Sequence, residues 1–205
     1  MQTIDAVVAL YEGQAAEYAR RTQGVDMGPT LQRFADKLPA GSLVVDAGCG
    51  SGRDTVWLQA RGFRCYSYDA SPQLCGEAQQ RIGATPVVAC HRHDALALPE
   101  KAAGILASAS LLFLSDEDLA VALQTMAANL TLSGVLYASF KSGNGWQFAD
   151  NKWFRHLLPE DIGLLADLSG LVPVSVHQEA DSLGRAQGWT SFMLQQKATS
   201  APQNG

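Results

Sequence analysis

Short apolar runs alternate along the chain with stretches whose hydrophobic residues recur at helical spacing. The apolar runs predict buried strands, whereas a stripe such as Leu31, Phe34, Ala35 and Leu38, at i, i+3, i+4 and i+7, predicts an amphipathic helix. Strands are predicted at 43–46, 63–69, 86–90, 104–108, 134–140, 171–176 and 190–197. Helices are predicted at 4–11, 15–20, 29–38, 55–60, 115–130 and 159–168, and a further one after a cap at Ser71.

This alternation of strands and helices predicts an α/β fold. Strand–helix–strand units joined by right-handed crossovers form a doubly wound, seven-stranded, mostly parallel sheet with helices on both faces. The run 104–108 contains only apolar or small residues, which is typical of a central parallel strand. Because neither a repeat nor a linker interrupts the pattern, we expect a single domain over residues 1–197 and a disordered tail at 198–205.

The composition of the chain limits which partners it can bind and indicates where in the cell it acts. The 205 residues are 47% hydrophobic and 17% charged, as in a globular domain, and their net charge of −5 gives no basic surface for nucleic acid. No apolar run approaches the roughly 20 residues that a membrane-spanning helix needs. The N-terminal residues also lack a secretory pattern. Because the four cysteines show no CxxC spacing, we expect reduced thiols and a cytoplasmic location.

The segment 44–54 holds the most informative chemistry. Its three glycines, Gly48, Gly50 and Gly52, alternate between a buried strand and a helix, so that a ligand can lie against bare backbone near the helix N-terminus. Such a loop can bind phosphates, dinucleotides or other nucleoside ligands. A P-loop has Lys and then Ser or Thr after its last glycine, and the dinucleotide fingerprint needs glycine at the position of Arg53, so neither motif fits.

Asp46 favours one of the remaining ligands. A carboxylate two residues before the first glycine is unfavourable beside a pyrophosphate, but it suits S-adenosylmethionine, which carries an amine and a sulfonium. Asp46-x-Gly48-x-Gly50-x-Gly52 resembles motif I of the class I S-adenosylmethionine-dependent methyltransferases, and the similarity covers about residues 11–196. The resemblance implies that family's Rossmann-like fold with an antiparallel last strand, and S-adenosylhomocysteine as the product. It also implies cofactor contacts along the whole loop, including Ala47 and Cys49.

Two acidic residues follow predicted strands at the edge of the sheet where doubly wound folds bind ligands. The resemblance implies that Asp69 binds the ribose hydroxyls of the cofactor, with helix capping as the alternative role. It implies that Asp94 accepts from the adenine amine, with loop capping as the alternative. The family pattern places further cofactor contacts at neighbouring positions: Ala70, Ser71, His93, Ala95, Ser108 and Ala109.

The N-terminal residues 1–28 resemble the cap segment of small-molecule methyltransferases of this class. In that segment a tyrosine and a nearby arginine close over the cofactor, which implies such roles for Tyr11, Tyr18 and Arg20. An ordinary amphipathic helix with its tyrosines in the core is the alternative.

The methyl acceptor is less well defined by the sequence. The fourth strand is not followed by the D/N-P-P-Y/F motif of enzymes that methylate nucleic-acid bases, and His91-x-His93 lacks further ligands, so we expect no metal. Polar and aromatic residues occur in the segment 141–156, which is expected as a loop, and in the stretch before the last strand. Their pattern resembles that of small bacterial tellurite-resistance-like methyltransferases. The candidates for acceptor binding are Lys141, Trp146, Arg155, Arg185 and Trp189, and His156 is the candidate general base.

The sequence therefore predicts an S-adenosylmethionine-dependent methyltransferase that acts on an oxygen, nitrogen, sulfur or chalcogen atom of a small molecule. A non-catalytic protein that senses S-adenosylmethionine is one alternative. A nicotinamide-dependent oxidoreductase is another, which Asp46 and Arg53 disfavour. We expect a monomer or homodimer whose partner is the small-molecule acceptor rather than nucleic acid or membrane.

Overall fold

In the computed structural model, which describes residues 3–83, 87–89, 98–181 and 183–197, seven α-helices alternate with nine strands. The helices are α1 (Ile4–Glu12), α2 (Ala15–Thr22), α3 (Gly28–Ala35), α4 (Arg53–Gln59), α5 (Pro72–Ile82), α6 (Asp116–Ala128) and α7 (Ile162–Ser169). The strands are β1 (Leu43–Ala47), β2 (Arg64–Asp69), β3 (Val87–Ala89), β4 (Ala102–Ala107), β5 (Leu130–Ser142), β6 (Gly145–Ala149), β7 (Lys152–Leu157), β8 (Val172–Glu179) and β9 (Trp189–Gln195).

The strand order confirms the doubly wound, mostly parallel sheet. Strands β3, β2, β1, β4 and β5 lie side by side in that order and pair in parallel. The last strand, β9, runs antiparallel to both β5 and β8, as the family resemblance implies. The chain reverses its direction of winding between β1 and β4, so the crevice for a ligand lies at the carboxyl ends of these two strands.

Apolar residues cover both faces of the sheet because alternate residues of a strand point in opposite directions. Val45 shares one apolar cluster with Leu123 of α6. Its neighbour Val44 belongs to a second cluster with Phe34 of α3 and Leu58 of α4. Helices therefore protect both faces, which explains why the central strands read as continuous apolar runs.

The segment expected as a loop after the fifth strand is instead a β-hairpin. Strands β6 and β7 pair antiparallel around a two-residue turn in which Asp150 and Asn151 have φ values of 49° and 58°. Two left-handed residues in a two-residue turn match the twist of a hairpin. The alternation of apolar and polar residues in β6 covers only 146–148, and most of the strand is exposed, so the hydrophobic pattern gives only a short signal for it. The hairpin accounts for the two strands beyond the seven predicted.

Two predicted helix starts are confirmed by their capping hydrogen bonds. The Ser71 hydroxyl accepts from Leu74 N at 3.1 Å, and the Ser115 hydroxyl accepts from Asp118 N at 3.0 Å. The tail at 198–205 and both ends of the predicted strand 86–90 lie outside the described residues. Within the described ranges, no helix has the length and apolar character to cross a membrane.

Candidate active site

The glycine loop turns at the carboxyl end of β1 and is fastened to the neighbouring strand. The backbone N–H groups of Gly48 and Cys49 both donate to the carbonyl of Tyr68, at 2.9 and 3.0 Å. At Gly50, where φ is +55°, a side-chain Cβ would stand 3.3 Å from the ring of Tyr18. Only glycine leaves this backbone open to a ligand in such a left-handed conformation.

Asp69 ends β2 and faces the glycine loop. Its carboxylate accepts from Gly50 N at 2.8 Å and from Ser71 N at 2.9 Å. Burial raises the pKa of this carboxyl, and the backbone hydrogen bonds act in the opposite direction. The carboxylate therefore fixes the loop against the start of α5.

Two adjoining cavities open at this edge of the sheet. The first, the loop cavity, has an empty volume of about 680 Å³ and is lined by Gly48, Gly50, Asp69, Ala70 and Ser71 together with residues of α1. The second, the Lys141 cavity, has an empty volume of about 1030 Å³ and extends from α2 to the ends of β5 and β9. The side chains and loop residues shared by both cavities are Tyr11, Tyr18, Ser108, Ala109 and Phe113.

The N-terminal helices contribute to both cavities. Tyr11 and Tyr18 pack edge to face with ring centroids 5.2 Å apart. Arg20, however, is exposed and lines neither of the two described cavities. Arg21 lines the Lys141 cavity instead, with its guanidinium carbon 5.9 Å from the Tyr18 ring centroid. Residues three apart share a helix face, so the arginine beside Tyr18 is Arg21 rather than Arg20, and contact of Arg20 with the cofactor stays a prediction.

Asp46 lies behind the glycine loop. Its carboxylate accepts from Thr55 Oγ1 at 2.6 Å, and Thr55 in turn contacts Ser67 Oγ at 2.8 Å. The side chain is buried and lines neither of the two described cavities. Ala47 and Cys49 are likewise buried. For these three residues, contact with the cofactor stays a prediction.

We expect Asp46→Asn to stabilise the cofactor-free protein more at pH 8 than at pH 5. Burial, and then the charge of Asp54, raises the pKa of Asp46 to about 7. Between pH 4 and 7 the folded state therefore binds more protons than the unfolded state, and the stability that this proton supplies is lost as the pH rises through about 7. Asparagine keeps an oxygen for Thr55 without a charge. A gain of about 1 kcal/mol would raise the unfolding midpoint by ~2–4 °C at pH 8. Equal shifts at both pH values would contradict this assignment.

Three of the five predicted acceptor residues line the Lys141 cavity: Lys141, Arg185 and Trp189. All three contact Asp181, which the sequence analysis missed. Asp181 lies on the connection between β8 and β9, and its side chain is fully buried. The i, i+4 spacing of Asp181 and Arg185 was the available signal, but it is common on protein surfaces.

Trp146, Arg155 and His156 line neither of the two described cavities, and their roles at the acceptor stay predictions. Arg155 is buried, donates to Leu114 O at 3.2 Å and to Asp116 at 2.5 Å, and stacks 4.6 Å from the Trp146 ring centroid. It therefore fastens the hairpin to the start of α6. Strand alternation explains the direction of Arg155, because Lys152 and Phe154, which line the cavity, lie on the opposite face of β7.

The structure places the predicted general base, His156, against Gln187. Its Nδ1 lies 2.7 Å from the Gln187 side-chain nitrogen, and burial lowers its pKa. The hairpin residues that do reach the Lys141 cavity are Asp150, Lys152 and Phe154. The predicted contacts His93, Asp94 and Ala95 lie outside the described residues.

Part of the chain is similar in sequence to known methyltransferases. Residues 44–134 match the family model of a methyltransferase domain. A magnesium-protoporphyrin O-methyltransferase of Rhodobacter capsulatus is 46% identical over 52 residues, which are 25% of this chain and 23% of that protein. The match thus spans about a quarter of this curated relative.

Solved structures share the fold of nearly the whole chain, although their sequence identity to it is low. The 1,6-didemethyltoxoflavin-N1-methyltransferase of Burkholderia thailandensis, solved with 1,6-didemethyltoxoflavin and S-adenosylhomocysteine, superposes with a TM-score of 0.76. It is 18% identical, and the match covers 96% of this chain and 92% of that one. A TehB-like S-adenosylmethionine-dependent methyltransferase of Corynebacterium glutamicum gives a TM-score of 0.69 at 19% identity, over 92% of this chain and 100% of that one. At these identities the likeness shows the fold.

Proposed function

We propose that this chain, of which residues 44–134 match the family model of a methyltransferase domain, transfers a methyl group from S-adenosylmethionine to a small-molecule acceptor. One observation carries the proposal. The open glycine loop and Asp69 line one cavity, and that cavity adjoins a second cavity large enough for a further small molecule. A donor and an acceptor can therefore lie side by side.

The loop cavity fits the adenosine part of the cofactor. Backbone at Gly48 and Gly50 lets the ligand approach closely, and Asp69 offers a carboxylate to the ribose hydroxyls. Ser108 and Ala109 lie where both cavities meet, which suits the methionine part. We infer that α1 and α2, which line both cavities, cover the cofactor as the predicted cap.

Methyl transfer needs positioning more than it needs reactive protein groups. A lone pair of the acceptor forms the new bond to the methyl carbon, the S–CH₃ bonding pair stays on sulfur, and neutral S-adenosylhomocysteine leaves. Holding donor and acceptor in line and away from water can supply ~7–11 kcal/mol of the barrier reduction. An acceptor whose reacting atom is already anionic has no proton to lose. The position of His156 outside the described cavities is consistent with such an acceptor.

The alternatives fit the structure less well. A sensor that only binds the cofactor has no use for the Lys141 cavity of about 1030 Å³. A nicotinamide-dependent oxidoreductase is disfavoured because Arg53, which replaces the fingerprint glycine, is ion-paired with Asp54 at 2.6 Å. A cytoplasmic location is supported by the free thiols of Cys49, Cys65 and Cys75. We retain the monomer or homodimer as an expectation.

Calorimetric titration tests the cofactor assignment. We expect S-adenosylmethionine and S-adenosylhomocysteine to bind at roughly micromolar concentration, with a binding free energy of about −8 kcal/mol, and NAD to bind far more weakly. Tighter binding of NAD would refute the assignment. Release of S-adenosylhomocysteine in the presence of a panel of phenol, carboxylate, amine and thiol acceptors then separates an enzyme from a sensor, because a sensor releases none.

A further inference from the structure

The charge of the Lys141 cavity has the opposite sign to that of the chain. The net charge of the chain is −5, whereas the side chains lining the cavity include five cations and three carboxylates. The cations are Arg21, Arg53, Lys141, Lys152 and Arg185, and the carboxylates are Asp150, Glu179 and Asp181. Arg53 is paired with Asp54, and Glu179 is paired with Arg33, both partners being outside the cavity lining. Four cations and two carboxylates remain.

Asp181 holds two of those cations in fixed positions. Its carboxylate accepts from Lys141 Nζ at 3.2 Å, from Arg185 Nε at 2.9 Å, from Trp189 Nε1 at 2.8 Å and from Leu183 N at 2.9 Å. Burial alone would raise its pKa, but these hydrogen bonds lower it below the ordinary range. Asp181 is therefore ionised, and its single charge leaves one of the two cations uncompensated.

The same site offers flat apolar surfaces. Lys141 Nζ lies 4.0 Å from the ring centroid of Trp189, its cross-strand neighbour on β9. Six of the residues lining the cavity are aromatic, although aromatic residues make up only 8% of the chain. Aromatic walls suit a ligand with a planar ring.

We propose that Lys141, Arg185 and Trp189, positioned by Asp181, form a subsite for an anionic group of the methyl acceptor. The acceptor is accordingly a small, ring-bearing anion such as an aromatic carboxylate. This inference rests on the proposed function, since it identifies the cavity with the acceptor. The sulfonium of the donor adds positive charge beside the site and so favours an anionic acceptor further.

Matched pairs of ligands test the preference for an anion. In protein saturated with S-adenosylhomocysteine, ligand-observed NMR titration would compare benzoate with benzamide and 2-naphthoate with 2-naphthamide. Because the carboxylate makes a charge-assisted contact that the amide cannot make, we expect each carboxylate to bind at least about tenfold more tightly than its amide. Lys141→Met should bring the ratio to about threefold or less. Lys37→Met makes the same chemical change on an exposed residue outside the cavity lining and should leave the ratio unchanged.

Several outcomes would overturn the proposal. The amides could bind as well as the carboxylates, or none of the four ligands could bind. Alternatively, Lys141→Met could lower the affinity for S-adenosylhomocysteine more than about threefold, which would mean that the cations bind the carboxylate of the cofactor instead of the acceptor. Arg185→Gln repeats the test at a side chain that is 47% exposed, in case Lys141→Met does not fold. Failure of wild-type protein to bind S-adenosylhomocysteine would refute the proposed function separately, and the ligand pairs would then be compared in cofactor-free protein.

Discussion

Gly50→Val is expected to lower the affinity for S-adenosylhomocysteine by more than about 100-fold, while the protein stays folded. The φ of +55° at this position disfavours any branched residue, and the new Cβ would stand 3.3 Å from Tyr18 Cε1. The added methyl groups would occupy the space between the loop and Tyr18, where we place the cofactor. Calorimetric titration gives the affinity, and circular dichroism with thermal unfolding reports the fold.

Gly62→Val is the matched control for backbone strain. Gly62 also has a positive φ, +84°, but a side chain there would have no heavy atom within 4 Å. Each substitution should cost about 1–2 kcal/mol through the left-handed conformation. Only Gly50→Val should lower the affinity for S-adenosylhomocysteine. If both variants lost affinity to a similar extent, or if neither did, the loop would not be part of the binding site.

The features that could be predicted from sequence depend on short stretches of chain. The glycine loop, the strand before it and the Ser71 cap each depend on neighbouring residues whose chemistry dictates the local conformation. Asp69 could be placed because a residue that ends a parallel strand must lie at the ligand-binding edge. The antiparallel last strand came from the family resemblance and not from hydrophobic periodicity.

The features that escaped prediction depend on register and on distant packing. Arg155 and Arg185 were equally good candidates for the acceptor site, but β7 turns Arg155 towards Asp116, whereas the connection between β8 and β9 brings Arg185 to Asp181. A shift of one residue in a strand reverses the face of every side chain. Apolar alternation in β6 covers only residues 146–148, which is too short to identify the β6 and β7 hairpin. Such choices are made by pairing across the sheet, which one sequence does not show.

Asp69→Asn is expected to lower the affinity for S-adenosylhomocysteine by ~10- to 100-fold, because a carboxylate that accepts from the ribose hydroxyls contributes about 1.5–3 kcal/mol net to the binding free energy. The substitution also disturbs the loop, since Gly50 N and Ser71 N both donate to this carboxylate. A loss of affinity alone therefore does not separate a direct contact from support of the loop.

A ligand lacking the hydroxyls makes that separation. In wild-type protein the 2′,3′-dideoxy analogue of S-adenosylhomocysteine should bind more weakly than the parent by a factor similar to that of Asp69→Asn. In Asp69→Asn the parent and the analogue should bind within about threefold of each other, because the contact has already been lost. If Asp69 acts only by holding Gly50 and Ser71, the substitution should weaken both ligands by the same factor. That result would return Asp69 to the role of a capping acid and leave the ribose without its proposed partner.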